Sequence, residues 1–194
     1  MADTSENISR AELAIQQLNM GYNTEQDRLL LKVGLSDQTE IALWLTQRIA
    51  RTMWQLLSKE VHLPSTNTAQ TANMAPQQAV QTFKQEVQAV ETLQKLDFET
   101  TYEPRKEVLQ PGGILIKEVQ LLAPATTGTA KVQLLEMQSV DGVQLHLNLN
   151  TETILAICNM LQLSAKEAAW TLAVTVPEPA AMTLLNTESK QVLH

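Results

Sequence analysis

Two segments of the chain share one order of patterns: alternating apolar and polar residues, then a polar turn, then apolar residues at helical spacing. Residues 27–54 (DRLLLKVGLSDQTEIALWLTQRIARTMW) and 143–170 (VQLHLNLNTETILAICNMLQLSAKEAAW) align without a gap. The alternation predicts a strand with one buried face, and the later spacing predicts an amphipathic helix. The residues identical between the two segments are Leu29/Leu145, Leu31/Leu147, Ile41/Ile157, Leu45/Leu161 and Trp54/Trp170. The similarity of the two segments predicts a symmetric architecture of two ββα units. It gives no information about a catalytic or binding activity.

The first ββα unit is expected at residues 11–60. Residues 11–20 fit a strand or a short helix, and the strand predicted at 28–35 would complete a hairpin. Asp37, followed three residues later by Glu40, has the spacing of a capping box and predicts a helix that runs to about Glu60. Apolar residues cover more than half of its circumference, whereas a surface helix needs a stripe of about 100°. We therefore expect this helix to pack on two sides, against the sheet and against another helix or a second copy.

The middle of the chain predicts a linker and then a second helix. Residues 62–76 include a stretch low in charge and rich in Thr, Asn and Ala, which is typical of a loop or linker. Residues 77–96 predict a helix whose narrow apolar seam has the 3–4 spacing of a one-sided contact. The seam residues are Val80, Phe83, Val87 and Val90. Two heptads are too few to identify a coiled coil.

The second half predicts strands followed by a helix. Strands are expected at 98–103 and 114–122, with a turn at Pro111-Gly112-Gly113 between them. Asp141-Gly142 lies between two alternating runs, which predicts a hairpin with a type I′ turn. A third helix is expected from Thr151 to Trp170, again with a wide apolar arc.

Together these elements predict one α+β domain, a mostly antiparallel sheet with helices on one face, built from two pseudo-repeated ββα units. A chain of 194 residues is long enough for one sizeable core. The predicted domain spans 1–174: a first ββα unit at 11–60, a loop or linker at 62–76, a helix at 77–96, and strands plus a helix at 97–170. Residues 175–194 are expected to be a C-terminal tail.

Composition narrows the function classes. The net charge of −7 argues against duplex nucleic acid as a partner, because phosphate contacts dominate the affinity of proteins for nucleic acid. No apolar run approaches the ~18 residues of a membrane span, and the polar N-terminus is unlike a secretory signal. A single cysteine, Cys158, excludes an internal disulfide and fits a reducing compartment, so a cytoplasmic location is expected.

Catalytic signatures are missing from the sequence. There is no glycine-rich phosphate loop, no nucleophile elbow, and no His, Cys or Glu set at metal-ligand spacing, so no cofactor or small-molecule substrate is predicted. Cys158 falls on an apolar helix face and is expected in the core. Asp97, Glu99 and Glu103 would share one face of the predicted strand at 98–103. They could bind Mg²⁺ or Ca²⁺, or form the solvated face of an edge strand.

One surface stripe is a candidate binding site. On the first predicted helix, Trp44 lies in the polar arc with Arg48 four positions on and Arg51 seven positions on. An arginine at that spacing can lie over the indole, and both residue types are enriched at interface hot spots. The alternative is that Trp44 is covered and the arginines are paired within the chain. Trp54 and Trp170 are expected to close the ends of the core.

Three hypotheses of different classes remain. The first is a non-enzymatic cytoplasmic scaffold or adaptor that binds itself or another protein, and the wide apolar arcs predict a homo-oligomer. The second is a module that binds a small anion or single-stranded nucleic acid through Trp44, Arg48 and Arg51. The third is a metal-dependent enzyme that uses Asp97, Glu99 and Glu103.

Overall fold

The computed structural model describes residues 14–61, 76–122 and 132–172, and these form an α+β fold. Seven strands make a mostly antiparallel sheet, which confirms the predicted fold class. The strands are β1 (Ile15–Asn23), β2 (Arg28–Leu35), β3 (Thr39–Leu45), β4 (Lys106–Glu107), β5 (Ile114–Leu122), β6 (Gln133–Ser139) and β7 (Gln144–Leu149). The helices are α1 (Gln47–Val61), α2 (Pro76–Lys95) and α3 (Thr151–Glu167). Residues 62–75 of the predicted linker and the predicted tail lie outside the described residues.

The sheet has two antiparallel halves joined by a short parallel junction. The strand order is β1-β2-β3-β5-β6-β7, and β4 pairs with β3 on the edge that β3 shares with β5. Neighbours within each half run antiparallel. Between the halves, β3 and β5 run parallel, and only Leu43 with Ile114 and Trp44 with Leu115 are paired. β1 and β7 are the outer strands of this order.

The core lies between the helices and one face of the sheet. In β2, Leu29, Leu31 and Val33 are fully buried while the intervening Leu30 and Lys32 are only half-buried, as expected of a strand with one face on a core. α1 packs against α3 and against β5, and α3 packs against β1. α1 and α3 therefore each pack on a strand of the other half of the sheet.

The prediction of one long helix over residues 37–60 is wrong in its first part. Thr39–Leu45 form β3, and α1 begins at Gln47. The Asp37 carboxylate does not cap a helix, because it accepts the backbone N–H of Thr39 (3.1 Å) within a tight turn between β2 and β3. Ile41, Leu43 and Leu45 share one face of β3. Residues of its other face are largely buried too, so no alternation of apolar and polar residues marks this strand in the sequence.

The two pseudo-repeated ββα units are not confirmed. In the gapless alignment Ile41 and Leu45 match Ile157 and Leu161, but the first pair lies in β3 and the second pair lies in α3. Three consecutive strands precede the helix in the first half, so ββα does not describe it. The wide apolar arc on α1 is explained within the chain, since α1 is buried against both the sheet and α3.

The predicted hairpins and the third helix are observed with two differences. The hairpin at Asp141-Gly142 is present, but only Gly142 has a positive φ (85°), so the turn is not type I′. The Ser139 N–H donates to the Val143 carbonyl (2.9 Å), so three residues form the loop between this pair. A type I turn followed by a left-handed glycine is the usual form of a three-residue hairpin loop. The start of α3 is confirmed, because the Asn150 side chain caps it by accepting the Thr153 N–H (2.8 Å). The helix ends at Glu167, three residues before the predicted Trp170.

Candidate interaction surfaces

α2 is a twenty-residue helix that is attached to the domain along one side. Pro76 occupies its first position, where a missing N–H costs nothing, and Lys95 lies in the last turn, where it complements the helix dipole. Ala89 is buried, and Leu93 and the following Leu96 pack against the core beside α3. These residues, rather than the predicted seam, contact the other described elements of the chain.

The apolar seam of α2 (Val80, Phe83, Val87 and Val90) is exposed. Its side chains are 54%, 65%, 39% and 38% accessible, in that order. At 3.6 residues per turn the seam lies about 120° around the helix from Ala89 and Leu93. The sequence predicts a one-sided contact for this seam, and the described residues of the chain do not cover it. Isolated exposed apolar side chains are ordinary, but a continuous row of four indicates an interaction surface.

Trp44 does not lie on a helix with the two arginines. It belongs to β3, and its indole Nε1 donates a hydrogen bond to the Gly112 carbonyl (2.6 Å). The loop that contains Gly112 reaches Trp44 because its chain makes a tight bend with positive φ at Gly112 and Gly113. A Cβ on Gly113 would lie 2.9 Å from the Ala42 carbonyl oxygen, so this approach requires glycine.

Arg48 and Arg51 are bonded to two different parts of the chain. Arg48 Nη2 donates to the Lys117 carbonyl of β5 (2.8 Å), and Arg51 Nε donates to the Thr171 carbonyl after α3 (2.7 Å). The structure therefore does not bring Trp44, Arg48 and Arg51 into the predicted helical stripe. Each contributes to holding neighbouring elements together, and their proposed role in partner binding stays a prediction.

The three carboxylates considered for a metal do not share a strand face. Residues 98–103 form an irregular segment, so the predicted strand is absent. Asp97 accepts the backbone N–H groups of Glu99 (2.9 Å) and Thr100 (3.0 Å) and the Thr100 hydroxyl. The Thr100 hydroxyl and these N–H groups lower the pKa of Asp97. Among the described residues, no three His, Cys, Asp or Glu side chains converge closely enough to hold a metal ion.

A buried carboxylate, which the sequence did not reveal, joins the outer face of the sheet to the segment after α2. Glu40 is 1% exposed. Its Oε2 accepts from the Tyr102 hydroxyl (2.9 Å) and from the Arg105 backbone N–H (2.8 Å), and its Oε1 accepts from Lys32 Nζ (3.2 Å). Burial alone would raise the pKa of Glu40, but the Arg105, Tyr102 and Lys32 donors outweigh it and lower the pKa. Glu40 is therefore held as a carboxylate.

The Arg105 side chain extends the same attachment across β2 to β1. Its Nη1 donates to Gln16 Oε1 (3.0 Å) and to the Leu35 carbonyl. The guanidinium passes over Gly34, where an added Cβ would lie 3.5 Å from the Arg105 Cζ atom. Burial and the Glu40 carboxylate raise the pKa of Tyr102, so its hydroxyl remains a donor at neutral pH. The contacts of Glu40, Tyr102 and Arg105 fix the connection between α2 and β5.

The remaining chemistry-bearing residues have structural surroundings. Cys158 is fully buried in α3, and burial raises the pKa of its thiol to about 12, which agrees with the predicted core position. Trp54 and Trp170 both pack against the core, and their predicted role in closing its ends stays a prediction. Trp170 also meets Tyr22 edge to face, with 5.8 Å between the ring centroids.

Two further findings concern the chain as a whole. None of the helices in the described part of the chain combines the length and apolar character that crossing a membrane requires. Comparisons with protein-family models, with curated proteins and with solved structures found no match.

Proposed function

We propose that the protein is a non-enzymatic interaction protein, of the scaffold or adaptor type, that self-associates through the exposed seam of α2. The observation that carries the proposal is the row formed by Val80, Phe83, Val87 and Val90, which the domain leaves open to solvent. The wide apolar arc of α1, which first suggested self-association, is satisfied by α3 and the sheet of the same chain and gives no further support.

The seam suits pairing with a second copy because its spacing is symmetric. In an antiparallel pair of α2 helices, Val80 faces the partner's Val90 and Phe83 faces the partner's Val87. Each side chain then meets an apolar neighbour, as in a helix–helix contact with 3–4 spacing. A two-fold contact of this kind uses the same patch on both copies, and it closes after two subunits.

The two other hypotheses have less support. A site for a small anion or single-stranded nucleic acid needs available arginines, but Arg48 and Arg51 are bonded to backbone carbonyls on separate elements. A carboxylate metal site needs Asp97, Glu99 and Glu103 on one face, and the irregular backbone there does not supply one. The seam favours a protein partner, either a second copy or another protein with an apolar helix.

The size of the expected effect follows from Phe83. Burying a whole phenylalanine side chain contributes roughly 1.5–3 kcal/mol, and Phe83 has 65% of its surface left to bury. Removing its ring from both copies therefore destabilises the dimer by roughly 3 kcal/mol, which raises the dissociation constant about a hundredfold or more.

The test is solution mass by light scattering and sedimentation over a range of protein concentrations. The seam variant is Phe83→Ser with Val87→Ser, and the matched control is Gln81→Ser with Gln85→Ser, which changes exposed positions of the same helix. We expect wild type and control to dimerise and the seam variant to be monomeric with an unchanged circular dichroism spectrum. A monomeric wild type, or a seam variant that dimerises as well as the control, would refute self-association through α2.

A further inference from the structure

A cavity of about 390 Å³ is lined by β1, by α3 and by the segment that follows α2. Four consecutive residues of β1, at 15–18, line it. Successive side chains of a strand point to opposite faces of the sheet, so a cavity that touches four in a row borders the edge of the strand. The other edge of β1 is hydrogen-bonded to β2. We call this cavity the edge groove.

Two walls rise on either side of the strand edge. One wall is the first half of α3, with residues that include Glu152, Ala156 and Met160. The other wall is the irregular segment after α2, which includes Leu96 and Phe98. The contacts of Glu40 hold this second wall in place, since they attach the end of the same segment to the sheet. Both walls of the edge groove are therefore held in place by contacts within the fold.

The backbone along the groove has unused hydrogen-bonding capacity. Among the described strands only β2 pairs with β1, and the edge of a strand presents N–H and C=O groups that another strand can bind. The pairing of β1 with β2 is irregular between Ile15 and Gln17, as at a bulge. Gln17, which lines the groove, has its side-chain Oε1 buried without a hydrogen-bond partner in the described part of the chain.

The side chains of the groove define the chemistry of its occupant. Apolar side chains from both walls, Leu96, Phe98 and Met160, offer contacts to an apolar side chain. The charged residues in the lining are Asp97 and Glu152, and the lining contains no lysine, arginine or histidine. Charge complementarity therefore favours a cationic occupant.

We propose that the edge groove binds an extended peptide segment of a partner protein, in which a lysine or arginine lies next to an apolar residue. The segment adds to β1 as a further strand, with its backbone bonded to residues 15–18. Successive side chains of a strand point to opposite faces, so its apolar side chain packs on Leu96 and Phe98 of one wall and the neighbouring basic side chain lies beside Glu152 of the other. Peptide recognition of this kind takes affinity from main-chain hydrogen bonds and specificity from the flanking pockets. The proposal uses a different surface from the α2 seam and does not depend on it.

The test is fluorescence anisotropy with labelled, end-blocked hexapeptides and the full chain. The first probe has the sequence Thr-Leu-Lys-Val-Arg-Thr, the second replaces both basic residues with glutamate, and the third carries N-methyl groups on alternate backbone nitrogens. We expect the basic probe to bind, the acidic probe to bind at least tenfold more weakly, and N-methylation to weaken binding roughly fivefold to tenfold. Backbone resonances of residues 15–18 should shift on titration with the basic probe.

Two matched variants locate the binding. Glu152→Lys places a lysine in the groove, and Thr151→Lys places one at the exposed neighbouring position in the same first turn of α3. We expect Glu152→Lys to weaken the basic probe roughly fivefold and Thr151→Lys to leave it within twofold, at equal melting temperatures. Equal effects of the two variants, equal binding of the acidic probe, or undiminished binding of the N-methylated probe would overturn the proposal. The last result would indicate a site for a small cationic molecule instead of a strand.

Discussion

Replacing Glu40 with glutamine tests whether the buried carboxylate holds the connection between α2 and β5. The substitution keeps the size of the side chain and removes its charge. The amide oxygen can still accept from Tyr102 and the Arg105 N–H, but the amide nitrogen then faces Lys32 Nζ, which is also a donor. Lys32 has 25% of its side chain exposed and can turn toward solvent. The variant therefore loses the ion pair with Lys32, and the hydrogen bonds from Tyr102 and the Arg105 N–H lose their charged acceptor.

The expected magnitude follows from those contacts. A hydrogen bond to a charged group contributes roughly 1.5–3 kcal/mol, and the neutral amide retains part of it, so we expect Glu40→Gln to lower the free energy of unfolding by about 2 kcal/mol. For a domain of this size that corresponds to a fall in melting temperature of about 4–8 °C.

The effect has a defined dependence on pH. The pKa of Glu40 is lower in the folded protein than its ordinary value of 4.5. The carboxylate therefore contributes its full stability above that value and loses it as pH falls through the folded pKa. The difference between wild type and Glu40→Gln should be complete at neutral pH and should shrink in acid.

The assay is chemical denaturation at several pH values, followed by circular dichroism. The control is Glu103→Gln, which removes the charge of an exposed carboxylate in the same connection. We expect the control to unfold within about 0.5 kcal/mol of wild type. If the two variants are equally stable at neutral pH, or if the loss in Glu40→Gln persists unchanged in acid, the account given for Glu40 is incorrect.

Three further predictions concern single positions. Gly113→Ala should lower the free energy of unfolding by roughly 2 kcal/mol in urea denaturation, because φ is +89° and the new Cβ would lie 2.9 Å from the Ala42 carbonyl; an unchanged midpoint would contradict this. Asn150→Ala should cost about 1 kcal/mol by leaving the Thr153 N–H without its cap, while Asn150→Asp should retain most of that stability in the same assay. Cys158 should resist thiol reagents in the native protein and react only after unfolding, since its thiol is buried with a pKa of about 12; rapid labelling of the folded chain would show that α3 opens.

The fold class could be predicted from the sequence because the alternating pattern is a local signal. β6 and β7 bury every second residue, β2 does so as far as Val33, and Asn150 marks the start of α3. The error at β3 arose where two local signals overlap. Ile41 and Leu45 are four residues apart, which suits one face of a helix, and they also lie on the same face of a strand.

The interaction surfaces could be predicted only in part. The seam of α2 was visible as a pattern, but its exposure depends on the side of α2 that packs on α3, and that is decided by Ala89 and Leu93 in three dimensions. Glu40 and Tyr102 are 62 residues apart, and no local pattern indicates that they meet. The sequence predicts Trp44 on a helix because the spacing of Asp37 and Glu40 indicates a helix start, whereas Trp44 lies in β3 and α1 begins at Gln47.

The crossed packing of the helices has a consequence for how the chain matures during synthesis. α1 lies against β5, which is made about fifty residues later, and β1 is covered by α3, the last described helix. When only β1, β2, β3 and α1 have left the ribosome, the side of α1 that packs on β5 and the side of β1 that packs on α3 are still exposed to solvent. Exposed apolar surface on a partly made chain favours aggregation, so we expect a fragment that ends after α1 to aggregate more readily than the full chain.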